Sequence, residues 1–140
     1  MRDVDGRTKV FALFGYPVKH SLSPRMHNAA FRHLGVNAAY IPFSVRPQDL
    51  QNALTAVRAL GLAGVNLTIP HKVAALSFVD EATPRAKAVG AVNTVMNCDG
   101  RLVGDNTDLD GVREALEEEG TTFEGKTGVM AGEVGGRLVL

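Results

Sequence analysis

Three short apolar runs separated by two amphipathic stretches limit this chain more than any other feature. Residues 9–15 (KVFALFG) are apolar and end at Gly15-Tyr16-Pro17, the pattern of a strand buried on both faces. Residues 39–44 (AYIPFS) read as a second strand, and Pro42 inside it argues for an edge position, because proline donates nothing to a ladder. Residues 64–69 (GVNLTI) alternate apolar and polar side chains until Pro70 turns the chain. Between the first two runs, Ser23-Pro24 has the form of a serine cap with proline in the first turn. Met26, Ala29, Ala30, Phe31 and Leu34 then follow at helical spacing up to Gly35. Between the second and third, Leu50, Ala53, Leu54, Val57 and Leu60 form one stripe behind Pro47, closed by Gly61. Strand, helix, strand, helix, strand implies parallel pairing with right-handed crossovers. The expected fold is α/β, a three-layer, open, mostly parallel twisted sheet with helices on both faces.

The remainder extends this pattern. Lys72–Phe78 and Pro84–Val89 read as short helices, the second opened by Thr83-Pro84. Residues 92–98 and 101–104 read as two strands joined by Asp99-Gly100, a hairpin signal. A helix capped by Thr107 or Asp108 should run to Glu119, with Leu109, Val112 and Leu116 as its apolar stripe. Residues 126–131 read as a further strand, so the expected organisation is a domain over 1–125 and, over 126–140, either the start of a truncated second domain or a tail. The 140 residues carry no net charge, which leaves no basic footprint for nucleic acid. No apolar run is long enough for a membrane span and the N-terminus lacks a signal-peptide core, so a cytoplasmic protein is expected. The single cysteine, Cys98, cannot close an internal disulfide, and no Cys/His spacing suggests a metal.

Four polar clusters fall where elements end: Ser21-Leu22-Ser23, Asn66 to Lys72, Asn93-Thr94, and Asp105 to Asp108. Ligands bind at the carboxyl ends of strands in open α/β sheets. Two serines at a helix start can form an anion site, or one can cap the helix and the other face solvent. Lys72 can serve as a cation or acid/base, or only as a surface charge. Asp108 can be its partner or only a helix cap. Asn93 lies in an apolar run, where a buried amide needs hydrogen-bond partners. His20, His27, His33 and His71 lack ligand spacing and read as structural or exposed.

Taken together these motifs resemble shikimate dehydrogenase. The resemblance rests on Phe14-Gly15-Tyr16-Pro17-Val18 with His20-Ser21-Leu22-Ser23-Pro24, on Gly64 to Lys72, on Gly90-Ala91-Val92-Asn93-Thr94, and on Gly104-Asp105-Asn106-Thr107-Asp108 with Gly111. It covers residues 9 to 131 in order. It implies an NADP-dependent oxidoreductase that reduces 3-dehydroshikimate to shikimate on the route to aromatic amino acids, with no nucleic-acid or membrane partner. It further implies that Ser21 and Ser23 bind the substrate carboxylate. Thr68, Lys72, Asn93 and Asp108 would surround the ring hydroxyls, with Lys72 and Asp108 as the catalytic pair. The family's cofactor loop falls at Gly132, Gly135 and Gly136, where Glu133 is out of keeping with a pyrophosphate. The family's later half carries the cofactor domain and a returning helix. This chain is therefore expected to be inactive by itself, to bind NADP weakly if at all, and to expose apolar surface that invites a homodimer. A non-catalytic shikimate-binding module and a quinate-preferring dehydrogenase are the competing expectations.

Overall fold

A computed structural model describes residues 4–120. The described elements are β1 (Lys9–Gly15), α1 (Ser23–Leu34), β2 (Ala38–Ser44), α2 (Leu50–Ala59), β3 (Gly64–Leu67), β4 (Glu81–Ala82), α3 (Pro84–Val89), β5 (Thr94–Cys98), β6 (Arg101–Asp105) and α4 (Asp108–Glu118). The strands form one sheet in the order β2-β1-β3-β5-β6-β4. β1 pairs in parallel with both β2 and β3, as the alternation of strand and helix requires. β5 runs antiparallel to both β3 and β6, and β4 is parallel to β6. β5 is therefore the one reversed strand among those described, and the sheet is mostly parallel.

β1 shows why both faces are covered. Its alternate residues Ala12 and Phe14 join Leu50, Leu54 and Val57 of α2, with Ala75 and Ala86, in the larger apolar cluster. Leu13 joins Val18 and Tyr40, with Phe11 and Phe31 packed alongside, in a smaller cluster under α1. Period-2 alternation on a strand buried from two sides gives this division. α1 itself buries no residue fully, and Met26 and Leu34 of its expected stripe are exposed. Instead Asn28 fixes it to the outer edge of β2. The Asn28 amide donates to the Tyr40 carbonyl at 2.8 Å and accepts from the Tyr40 N–H at 2.9 Å. One side chain thus satisfies backbone groups of an edge strand, the position that Pro42 indicates.

Several local expectations change. The stretch 72–78 is not a helix, since only Ala74–Ser77 is regular and it is 3₁₀. The Pro70 turn starts it late, and the Asp80 N–H bond to the Leu102 carbonyl draws the chain into the sheet soon after. The two residues of β4 are too few to show a period. Leu22, not Ser23, occupies the cap position of α1, and Ser21 Oγ accepts from the Ser23 N–H at 3.3 Å. Thr107 occupies the cap position of α4 without a side-chain capping bond, while Asn106 Oδ1 accepts from the Asp108 N–H at 3.0 Å. The Thr83 cap forms, its Oγ1 accepting from the Ala86 N–H at 3.2 Å. The hairpin also forms, with φ of 51° at Asp99 and 90° at Gly100, the left-handed pair that a two-residue turn of this kind needs. The strand expected at 126–131 lies outside the described residues.

The reversed strand depends on Gly64. A Cβ there would sit 2.7 Å from the Val95 carbonyl oxygen across the β3–β5 ladder. Gly64→Ala should lower stability by about 1–3 kcal/mol, the usual cost of overpacking a filled interior. Urea denaturation reads this, and an unchanged midpoint would contradict the close approach.

Candidate active site

The strand directions gather the polar clusters at one edge of the sheet. β1, β2, β3, β4 and β6 all end there, and β5, being reversed, begins there. Ser21 and Ser23 follow β1, Thr68 and Lys72 follow β3, Asn93 precedes β5, and Asp108 follows β6. Backbone bonds hold these loops against each other. The Tyr16 N–H donates to the Ile69 carbonyl at 3.0 Å, and the Val92 N–H to the Lys72 carbonyl at 2.8 Å. The Leu67 N–H donates to the Asn93 carbonyl at 2.8 Å and the Asn93 N–H to the Asp105 carbonyl at 3.0 Å. His71 lies beneath them, 1% exposed, with Nε2 2.8 Å from the Val45 carbonyl oxygen. It is structural, as its spacing suggests.

At the centre is one carboxylate. Lys72 Nζ donates to Asp108 Oδ2 at 2.7 Å, and Asn93 Nδ2 donates to Asp108 Oδ1 at 2.8 Å. The lysine and aspartate side chains are 16% and 29% exposed, so the pair is shielded yet reachable. Asn93 is buried and fully partnered. Its amide also donates to Thr107 Oγ1 at 2.9 Å, while its Oδ1 accepts from the Thr107 N–H at 3.0 Å and from Thr94 Oγ1 at 2.9 Å. Asn106, 0% exposed, donates from Nδ2 to the Ala91 carbonyl at 3.1 Å and fixes the turn that presents Asp108. Direct bonds thus bring together Lys72, Asn93 and Asp108.

Ser21, Ser23 and Thr68 share the edge without a direct side-chain bond to that trio. All three are half-buried. The Thr68 methyl packs where a Cβ on Gly15 would sit, 2.5 Å away, which ties the loop after β3 to the loop bearing the serines. Three residues outside the expected set also enter. Tyr40 OH donates to Asn66 Oδ1 at 2.9 Å, and Asn66 Nδ2 donates to Thr94 Oγ1 at 3.1 Å. Burial pushes the Tyr40 phenol up to about 12. Asn66 and Thr94 stood in motifs already noted, whereas Tyr40 was indistinguishable from an ordinary strand aromatic.

A second charged cluster flanks the first. Arg85 bonds Asp105 through two nitrogens and Asp110 through a third. Thr83 Oγ1 donates to Asp105 at 2.6 Å. The Arg85 bonds, aided by Thr83 and the Asn106 N–H, hold the Asp105 carboxyl below its ordinary value.

The chain matches the model of the shikimate dehydrogenase substrate binding domain over residues 13–95. It belongs to that family. It is 55% identical over 129 residues to a shikimate dehydrogenase (NADP(+)) of Geobacillus kaustophilus, covering 91% of this chain and 47% of that protein. It is similar to the crystal structure of shikimate 5-dehydrogenase from Listeria monocytogenes in complex with shikimate and NAD. That match has a TM-score of 0.82 and 40% identity, over 87% of this chain and 42% of the other. It also resembles ligand-free 5-ketofructose reductase of Gluconobacter sp. strain CHM43, with a TM-score of 0.78 and 32% identity, over 81% of this chain and 41% of the other. The chain spans about half the length of the relatives it matches. No described helix is long and apolar enough to cross a membrane.

The cofactor of this family finds no seat among the described residues. Gly15, at a strand-to-helix turn, has its free side filled by Thr68. The turn between β6 and α4, Asn106-Thr107, contains no glycine, and its flanking Asp105 and Asp108 are held by Arg85 and Lys72. Gly132, Gly135 and Gly136 lie outside the described residues.

Buried His71 has its proton affinity lowered, chiefly by burial, from the ordinary 6.5. A group depressed in the folded state contributes stability above its unfolded pKa and loses it as pH falls through the folded value. Stability should therefore decline as pH drops below 6.5. His71→Gln should flatten that part of the curve, read by thermal melts between about pH 7.5 and pH 5. A mutant with the wild-type slope would sink this assignment.

Proposed function

We propose that this chain is the substrate-binding half of an NADP-dependent shikimate dehydrogenase. Residues 1–125 would hold 3-dehydroshikimate or shikimate, and 126–140 would begin the cofactor-binding half. The observation that carries this reading is the Lys72–Asp108 pair at 2.7 Å, with Asn93 on the same carboxylate, at the ligand-binding edge of the sheet.

The chemistry follows from the groups present. Reduction of a ketone leaves negative charge on its oxygen. Lys72 supplies an ammonium to stabilise that oxygen and a proton to neutralise it. Asp108 orients the ammonium and, with Lys72, takes up the proton in the reverse direction. Asn93, fixed by Thr107 and Thr94, holds the carboxylate at a set angle. Ser21 and Ser23 at the start of α1 would bind the acid group of the substrate, helped by the helix N-terminus. The likeness to a 5-ketofructose reductase favours a second point. One scaffold serves ketone substrates with and without a carboxylate, so the two serines rather than the fold would set preference for an acid. The site is for a small molecule, in a protein read as cytoplasmic and with no role for nucleic acid.

Calorimetric titration of this chain with shikimate tests the reading. Lys72→Ala and Ser21→Ala should each weaken binding by about tenfold, the worth of a hydrogen bond to a charged group. No binding by folded wild-type protein would overturn the claim that the site is preformed here. In the complete enzyme Lys72→Ala should lower turnover far more than it raises the Michaelis constant. The opposite split would remove Lys72 from the chemistry.

A further inference from the structure

The bonds around Asn93 form a directed chain. Tyr40 OH donates to Asn66 Oδ1, and Asn66 Nδ2 donates to Thr94 Oγ1. Thr94 Oγ1 donates to Asn93 Oδ1, and Asn93 Nδ2 donates to Asp108 Oδ1. A hydroxyl has a single proton to give. Since Thr94 spends its proton on Asn93, it must accept from Asn66, so the Asn66 amide nitrogen faces Thr94 and its oxygen faces Tyr40. A phenol that stays protonated is the donor that oxygen needs. Each link therefore fixes the orientation of the next, and every bond points its positive end toward Asp108.

We infer that Thr94 is a positioning residue: with Asn66 behind it, its hydroxyl fixes the Asn93 carboxamide so that the NH2 group faces Asp108 and holds that carboxylate toward Lys72. This rests on the proposed function only for its catalytic meaning. Thr94 makes no side-chain bond to Lys72 or Asp108 among the described residues, so it acts through Asn93. Its side chain is half-buried on a strand and pairs opposite Asn66 in the β3–β5 ladder. The antiparallel register thus delivers Thr94 to Asn66 and, one residue earlier, Asn93 to Asp108. Asn93 Oδ1 also accepts from the Thr107 backbone, which belongs to the α4 turn. Without Thr94, the amide would be held only by Thr107 and Asp108, both at the start of α4, and the orientation of the carboxylate would be set by α4 instead of by the sheet.

The test uses two readouts on this chain. Thr94→Val keeps shape and strand preference while deleting the hydroxyl. Thr94→Ser restores the hydroxyl, and Thr94→Ala serves if valine disturbs the strand. By nitrogen-15 NMR, the Asn93 side-chain amide should exchange with water about tenfold faster in Thr94→Val than in wild type, and near the wild-type rate in Thr94→Ser. By calorimetry, shikimate affinity should fall and recover in the same order. Unchanged Asn93 exchange in folded Thr94→Val would overturn the inference. Fast exchange in the serine variant as well would do so too, since it would show that bulk rather than the hydroxyl matters. If wild-type protein binds no shikimate, the claim of a preformed substrate site fails while the exchange measurement still decides the role of Thr94.

Discussion

The antiparallel pairing of β5 onto β3 governs where the chemistry of this domain can be. A strand running with its neighbours would have carried Asn93 to the far edge, away from Lys72 and Asp108. Reversal brings the first residue before β5 to the edge where the other strands end. That pairing is close at Gly64, which has no side chain to meet the Val95 carbonyl. Backbone bonds from Leu67 and to Asp105 then place the Asn93 carboxamide at the strand end. The Asn93 amide in turn bonds both Asp108 and Thr107.

The site is built from loops, yet it is not loosely made. The Lys72 carbonyl accepts from Val92, the Asn93 carbonyl accepts from Leu67, and the Asp105 carbonyl accepts from Asn93. Loop backbone therefore continues the sheet past its formal end. Buried polar groups are costly unless partnered. Here Asn93, Asn106 and His71 are all partnered, and none of the described buried side-chain polar atoms lacks a hydrogen bond. Satisfying those groups is what gives the Lys72–Asp108 pair a single geometry.

Much of this was legible in the residue order, for physical reasons. Apolar runs exposed β1 and β2, alternation exposed β3 and a 3.6-residue stripe exposed α2, because β1, β3 and α2 bury whole faces while β2 buries Tyr40. Pro42 announced an edge, and Asp99-Gly100 announced a turn. Motif resemblance pointed to Lys72, Asn93 and Asp108, which the structure bonds together. What stayed hidden depends on contacts between distant residues. β4 is two residues long and exists only because β6 is beside it. Asn28 looks like any polar helix residue until Tyr40 lies opposite. The stretch after Lys72 has helical composition, but its length is cut by the sheet. The thread through Tyr40, Asn66 and Thr94 requires the register of three strands, which no local pattern encodes. Ser21 and Ser23 reach the same edge, though no described bond joins them to the central trio.

α4 is attached in an unusual way. It buries no residue fully, and Leu116, the last of its apolar stripe, is exposed. Its first turn is fastened by Lys72 to Asp108, by Asn93 to Thr107 and Asp108, and by Arg85 to Asp110. Mechanically this is a lever pinned at one end. Asp108 is at once the first residue of the lever and the carboxylate of the pair. The start of that helix and the charge pair therefore share one anchor, so the placement of α4 and the placement of the carboxylate are the same structural fact.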